Sequence, residues 1–226
     1  MKQCIVSFYM PNIHQATVEA QQQVVEKMNP SKIEHIRVKC PMPTVDNNGD
    51  AVNRFMQMNQ EREDMRFDTI VILDIDCIPL NARALDHLVE QAESGYYIGN
   101  IQRSNHIQND QHVFVAPSLQ AFSMQTYEKM GRPTFRETAR GDMSEELTYA
   151  AEEKGIPIKL YMPLRFERPP AEAPTGWALA DGMPRYGLGT TYGDEEFGDM
   201  TYHHFCIRHS GNQKRFVEKC QEVLDS

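Results

Sequence analysis

The stretch that decides the fold is Phe67-Asp68-Thr69-Ile70-Val71-Ile72-Leu73, which runs directly into Asp74-Ile75-Asp76-Cys77-Ile78-Pro79. Residues 67–73 are apolar and β-branched without alternation, as a parallel strand covered on both faces requires. The run stops abruptly in acids, so charge falls at the C-terminal end of the most apolar strand, where burial is costly without a cation or a cluster of donors. Downstream, Asn81 is placed to cap a helix whose Ala84, Leu85, Leu88, Val89 and Ala92 keep helical spacing and which Gly95 closes. Upstream the same grammar occurs twice. Gln3–Tyr9 (QCIVSFY) runs into Met10-Pro11-Asn12 and then a helical stretch over residues 14–28. The alternating HIRVKC of residues 35–40 stops at Pro41-Met42-Pro43, before a helical 50–65 that can bury Val52, Phe55, Met56 and Met65.

The second half is less regular. Strands are expected at 96–102, 112–116 and 157–163, with helices at 123–131 and 144–155. Residues 165–198 carry Pro, Gly and acids with little periodicity and read as one long functional loop, mobile until a ligand orders it. The chain closes with a strand over 201–208 (TYHHFCIR) and a helix that buries Phe216, Val217, Cys220, Val223 and Leu224. Alternating strands and helices predict a single α/β domain over residues 1–226, a sandwich with a mostly parallel central sheet and ligands beyond the carboxyl ends of its strands.

Composition narrows the partners. Of 226 residues 40% are hydrophobic and 24% charged, which excludes disordered and fibrous classes. The net charge of −9 disfavours loose electrostatic binding to nucleic acid or anionic membrane, leaving local patches of Lys and Arg to hold phosphates. The longest aliphatic run, residues 70–73, is far too short to span a bilayer, and residues 1–12 lack the pattern of a signal peptide. Five cysteines, odd in number and without a CxxC pair, read as reduced thiols in a cytoplasm.

Four groups of residues can carry chemistry. Asp74 and Asp76, one residue apart, direct both carboxylates to the same side in extended backbone, where they can share a divalent cation. Thirteen aspartates give about 0.7 such pairs by chance, so the position after the apolar strand, and not the spacing, is the informative part. In the tail, His203 and His204 supply imidazoles while Arg208 and Lys214 supply cations for phosphate oxygens; adjacent strand residues face opposite ways, so only one histidine can point into a given site. Asp142, Glu145 and Glu146 stand at a helix start, where carboxylates either cap or act as general base. Trp177, the only tryptophan, can stack on a sugar or base or anchor its loop by burial.

Taken in order, these features resemble the GT-A glycosyltransferases that use nucleotide sugars: the βα-rich first half, the strand running into Asp74-Ile75-Asp76, the acidic helix start at 142–147 and the late histidine. The resemblance covers most of the chain. It implies a Rossmann-like GT-A fold, with a donor-binding half over about 1–100 and an acceptor half with the metal-ligand tail over about 101–226. It also implies transfer of a sugar from a nucleoside diphosphate, uridine-linked, to a hydroxyl acceptor with Mn²⁺ or Mg²⁺ on the diphosphate. The ligand roles fall on Asp76 with His203 or His204, and less directly on Asp74; Phe8, Tyr9 and Pro11 match the donor-base loop by position. The family's adjacent Glu-Asp before the acceptor helix is replaced here by Asp142 and the Glu145-Glu146 pair. The chain also resembles phage-encoded glycosyltransferase-like proteins, which places modified DNA beside glycans and small molecules as acceptors. Two rivals remain. LDIDCIPL (73–80) is similar to the strand-end motif of haloacid-dehalogenase-type phosphatases, with Asp74 attacking phosphate, and a non-catalytic nucleotide- or carbohydrate-binding module would keep the fold without turnover.

Overall fold

The computed structural model describes residues 1–40, 46–62, 66–104, 112–180, 182–209 and 211–226, with the side chains of 46 and 47 excepted. The expected stop at 41–43 and Met65 lie outside the described residues. In chain order the elements are β1 (Gln3–Tyr9), α1 (Gln15–Lys27), β2 (Glu34–Lys39), α2 (Asp46–Glu61), β3 (Thr69–Leu73), β4 (Cys77–Pro79), α3 (Ala84–Glu93), β5 (Tyr97–Arg103) and β6 (Val113–Ser123). Then follow α4 (Met124–Lys129), α5 (Glu145–Lys154), β7 (Ile158–Arg168), β8 (Trp177–Ala178), β9 (Arg185–Tyr186), β10 (Leu188–Asp194), β11 (Gly198–His203) and α6 (Asn212–Asp225). No helix among the described residues is long and apolar enough to cross a membrane.

The α/β expectation holds, and the sheet has the order β2-β1-β3-β6-β5-β7-β10-β11-β4. All five residues of β3 are buried, which is why its sequence does not alternate. One face of the sheet presents Ile5, Val71 and Leu73 to Leu85 and Leu88 of α3. The other presents Val6, Ile70 and Ile72 to Val24 of α1, Met56 of α2, Leu147 of α5 and Phe216 of α6. Each such side chain contributes roughly 1.5–3 kcal/mol by burial, so the two faces together fix the layering.

In its details the sheet departs from the sequence reading. It is mixed: β1 pairs in parallel with β2 and β3, as β5 does with β7, while the five other ladders are antiparallel. The cause is a run of hairpin-like returns in the second half, where β5 turns back into β6 and β10 into β11. The strand expected at 112–116 continues through Pro117 to Ser123; the β5–β6 register shifts between Gly99 and Ile101, so the ladder is irregular in the region where proline cannot donate. Residues 165–198 are not one loop. They hold the end of β7, the β8–β9 pair and all of β10, which gains its hydrogen bonds from β7 on one side and β11 on the other.

The feature that positions the site is a curl. β3 lies inside the sheet, yet β4, only three residues further on, is its far edge, paired with β11. Asp74-Ile75-Asp76 is the whole of that crossover.

Candidate functional site

The crossover is held rigidly. The Asp74 backbone N–H donates to the Ser118 carbonyl at 3.0 Å, and Cys77 N–H donates to the Asp74 carbonyl at 3.0 Å. Gln21, fully buried on α1, sends its side-chain amide to the carbonyls of Asp74 (2.8 Å) and Cys77 (3.2 Å). A carboxylate at each end of so constrained a turn cannot relax into solvent independently. Asp74 Oδ1 accepts from the Ile75 N–H at 2.8 Å. Burial, and then the neighbouring Asp76 charge, push the Asp74 carboxyl above its usual range, against the opposing charges of His203 and Arg208.

Register delivers the histidine. His203 stands opposite Cys77 in the β11–β4 ladder, which brings its Nε2 to 3.2 Å from Asp76 Oδ1. Both residues are 6% exposed. The approach is too poorly aligned for a hydrogen bond, and Asp76 Oδ1 and His203 Nδ1 are buried polar atoms without a hydrogen-bond partner among the described residues. His204 is placed differently. Its backbone N–H donates to the Asp76 carbonyl at 2.9 Å, but its ring is fully buried between the Tyr202 hydroxyl (2.9 Å to Nδ1) and Arg168 (3.4 Å to Nε2). Burial lowers its pKa to about 4. The expectation that either histidine can serve as ligand is thereby narrowed: His204 is a packed ring with both nitrogens engaged.

The donor set suits a hard divalent cation. Bonds of roughly 2.1 Å at right angles put neighbouring donors about 3 Å apart, the spacing of Asp76 Oδ1 and His203 Nε2. No group of three His, Cys, Asp or Glu side chains among the described residues is arranged as a metal cluster. A cation such as Mg²⁺ takes one or two carboxylates and completes its shell with substrate phosphates and water.

Beyond the crossover lies a cleft of two adjoining cavities, about 100 and 210 Å³, which share Met10, Asn48, Asp74 and Arg208. Phe8, Tyr9 and Asp76 line the smaller, Arg136 and Asp142 the larger. Two expected donor contacts fall outside it: Pro11 is exposed on the β1–α1 turn, and Lys214 projects from α6 toward Glu218 at 3.7 Å. The cleft therefore takes one cation from the tail, Arg208, and a second, Arg136, that the sequence reading did not single out.

The three acids at the start of α5 separate by environment. Glu145 is fully buried and accepts from Ser104 Oγ (2.7 Å) and the Asp142 N–H (2.7 Å), with His112 Nδ1 at 2.5 Å and the Tyr149 hydroxyl at 3.1 Å. Glu146 is clamped by Arg140 (2.7 Å) and the Thr138 hydroxyl (2.7 Å), and the guanidinium holds its carboxyl below the usual range. Neither lines the cleft, so the reading of these two as catalytic acids is corrected to a structural one. Asp142, whose Oδ1 accepts from the Met143 N–H at 2.7 Å, lines the same cavity as Asp74 and Arg208.

Trp177 lies outside this cleft, in a neighbouring cavity of about 600 Å³ with Tyr186 and Phe205. Cys206 lines both spaces.

Met10, Asn48 and Arg136 were not identified from sequence. Met10 adjoins the Phe8–Tyr9 reading and only its neighbours were named; Asn48 and Arg136 reach the cleft from α2 and from the segment before α5, a meeting that tertiary packing alone creates.

No protein-family model matches the chain, and no curated protein matches it in sequence. Among solved structures it is similar to the catalytic domain of Drosophila β1,4-galactosyltransferase 7 in complex with xylobiose, with TM-score 0.50, 14% identity, and coverage of 96% of this chain and 79% of that one. A mutant of that enzyme in complex with manganese, UDP-Gal and xylobiose gives TM-score 0.48 at 13% identity, covering 95% and 79%. A 4-diphosphocytidyl-2C-methyl-D-erythritol synthase gives 0.43 at 15%, covering 71% and 89%. At this identity the likeness is one of fold alone, a GT-A-like α/β architecture.

Proposed function

We propose that the chain is a metal-dependent glycosyltransferase that moves a sugar from a nucleoside diphosphate donor, uridine-linked, to a hydroxyl acceptor. The observation that carries this is the paired approach of Asp76 Oδ1 and His203 Nε2 at 3.2 Å, both buried, at the head of a cleft shared by Asp74, Arg208 and Asp142. The fold shared with a galactosyltransferase catalytic domain points the same way. Asp76 and His203 hold Mn²⁺ or Mg²⁺, with Asp74 adjoining. A bound divalent cation neutralises the charge that develops on a departing diphosphate. Phe8 and Tyr9 flank the nucleoside from the end of β1, and Arg208 supplies an electrostatic contact to phosphate oxygens. Asp142, in the same cavity as Asp74, takes the proton of the acceptor hydroxyl. Residues 1–100 supply most of the donor side, while the second half supplies the acceptor side and the metal-binding histidine.

The test is a thermal-shift and turnover series with UDP-sugars, with and without Mn²⁺. UDP at 100 times its dissociation constant should add about 2.7 kcal/mol of stability in the presence of the cation. Asp76→Asn, close in shape, should abolish that increment and the cation-dependent release of sugar. Unchanged nucleotide and cation affinity in folded Asp76→Asn would overturn the assignment, and so would Mg²⁺-dependent hydrolysis of p-nitrophenyl phosphate that requires Asp74 in the absence of any UDP-sugar turnover.

A further inference from the structure

The cavity of about 600 Å³ beside the acid cleft has a size usual for small-ligand sites, roughly 300–1,000 Å³. Its wall is an aromatic cup. Trp177 and Tyr186 have ring centroids 5.4 Å apart at 46°, Trp177 and Phe205 5.3 Å at 64°, and Tyr186 and Phe205 5.4 Å at 41°. Gln102, Arg103, Ser104 and Glu172 are among the polar and charged residues of its lining.

The cup is built into the fold. Tyr186 is buried, and its hydroxyl is hydrogen-bonded to the Arg103 backbone. Gly176, at φ +82°, precedes Trp177 where an added Cβ would lie 2.8 Å from the Phe166 ring and 2.9 Å from the Tyr186 carbonyl. Only a residue without a Cβ lets the β8 turn close against these two.

We infer that this cup binds a neutral sugar ring, and that the acceptor of the transfer is a carbohydrate and not a nucleic acid; the acceptor role rests on the glycosyltransferase reading above. Three observations bear on the ligand class. First, no two rings of the cup are parallel, so there is no flat slot for a nucleobase, whereas tilted faces around a hollow offer negative π-surfaces to the C–H groups of a puckered ring. Second, among the described residues one Arg and one Glu leave the lining without net charge, and a chain at −9 adds repulsion to any polyanion. An amide and a carboxylate at the side suit hydroxyls, which lose hydrogen bonds to water on entry and must regain them. Third, the cup adjoins the reacting end of the cleft. The Phe205 and His203 ring centroids are 4.0 Å apart, and Cys206 lines both cavities. A sugar seated on the three rings thus lies beside the Asp76–His203 pair, across Phe205 and Cys206.

The only tryptophan of the chain lies in the cup and reports on it directly. Fluorescence of Trp177 is titrated with a panel of neutral disaccharides (xylobiose, lactose, cellobiose, maltose and chitobiose) and with a hexathymidylate, each with and without UDP and Mn²⁺. At least one disaccharide should shift the emission saturably, and hexathymidylate should not. Glu172→Gln should weaken sugar binding about tenfold, while the UDP–Mn²⁺ thermal shift stays intact, and Phe205→Leu should weaken sugar binding by a similar factor. Calorimetry on Trp177→Phe checks the contact without the fluorophore. Sugar binding in a protein that ignores UDP and Mn²⁺ would uphold the cup and sink the transferase reading. A normal UDP–Mn²⁺ response with no effect of any disaccharide in either condition, or with hexathymidylate binding at lower concentration than every sugar, would overturn the inference alone.

Discussion

Glu145→Gln and Asp142→Asn, three residues apart, should do opposite things. Glu145 has no exposed surface and receives four donors at 2.5–3.1 Å from Ser104, Asp142, His112 and Tyr149. The Asp142 N–H is fixed in the backbone, so the glutamine must keep its oxygen there and turn its NH₂ toward His112 and Tyr149. Those two can answer by changing tautomer and by rotating the hydroxyl, so no donor is left facing a donor. What is lost is charge assistance: bonds to an ionised group contribute about 1.5–3 kcal/mol against about 0.5–1.5 for neutral ones, so four bonds lose roughly 4 kcal/mol, partly offset by the lower desolvation of a neutral amide. A net destabilisation of about 2–4 kcal/mol, or about 5–15 °C in Tm for a chain of this size, is expected. Asp142→Asn keeps an acceptor for the Met143 N–H and should cost less stability than Glu145→Gln, yet lower transfer by about 10²–10⁴-fold as a lost general base does. Urea unfolding followed by Trp177 emission gives the first quantity, and initial transfer rate per folded molecule the second. If Glu145→Gln unfolds within about 0.5 kcal/mol of the parent and loses turnover while Asp142→Asn retains it, the two roles are reversed and the sorting of these acids by burial is wrong.

The two tail histidines should part in the same manner: His203→Gln removes the Mn²⁺-dependent stabilisation by UDP, while His204→Gln keeps it and lowers stability through the lost Tyr202 and Arg168 contacts, both read by thermal shift. Acid sensitivity should trace in part to His35. Burial and then the Arg37 charge lower its pKa to about 4, so its neutral form is favoured in the fold. The resulting stabilisation is complete above pH ~6.5 and is lost as pH falls toward 4, because the unfolded chain takes up the proton first. His35→Gln should flatten the fall of the urea midpoint across that window, and an unchanged slope would exclude the assignment.

The first hundred residues were legible because each element carries its own signal: β-branched runs for β1 and β3, proline or glycine at their ends, and helical spacing in α3. β4 was not, since Cys77-Ile78-Pro79 is three residues long and becomes a strand only when β11 arrives. The glycines of LGTTYGD made β10 read as loop; neighbours on both sides override that local preference. Asp74, Asp76 and Asp142 stand out in the sequence as acids at the ends of apolar elements, and all three line the cleft. The difference between Glu145 and Asp142 was invisible, because it depends on Ser104 and His112 closing over one carboxylate. For the histidines, the strand expected over 201–208 ends at His203, so His204 falls outside the alternation, and only the pairing of His203 with Cys77 says which of them faces Asp76.

That pairing also sets when the site can exist. The ladder between β4 and β11 is three residue pairs long and joins parts of the chain separated by more than half its length, with a proline in one strand. Local units such as β1–α1–β2 can assemble early, whereas a contact of this sequence separation carries a large loop-closure entropy and forms late. Asp76 and His203 meet only at that step. On the proposed assignment, cation binding would belong to the finished fold and not to any intermediate, and a cation bridging the two strands would act as a clasp on the last seam to close. Hydrogen exchange at Ile78 and Tyr202 should slow on adding Mn²⁺ with UDP, while the amides of β1 and β3 are unaffected.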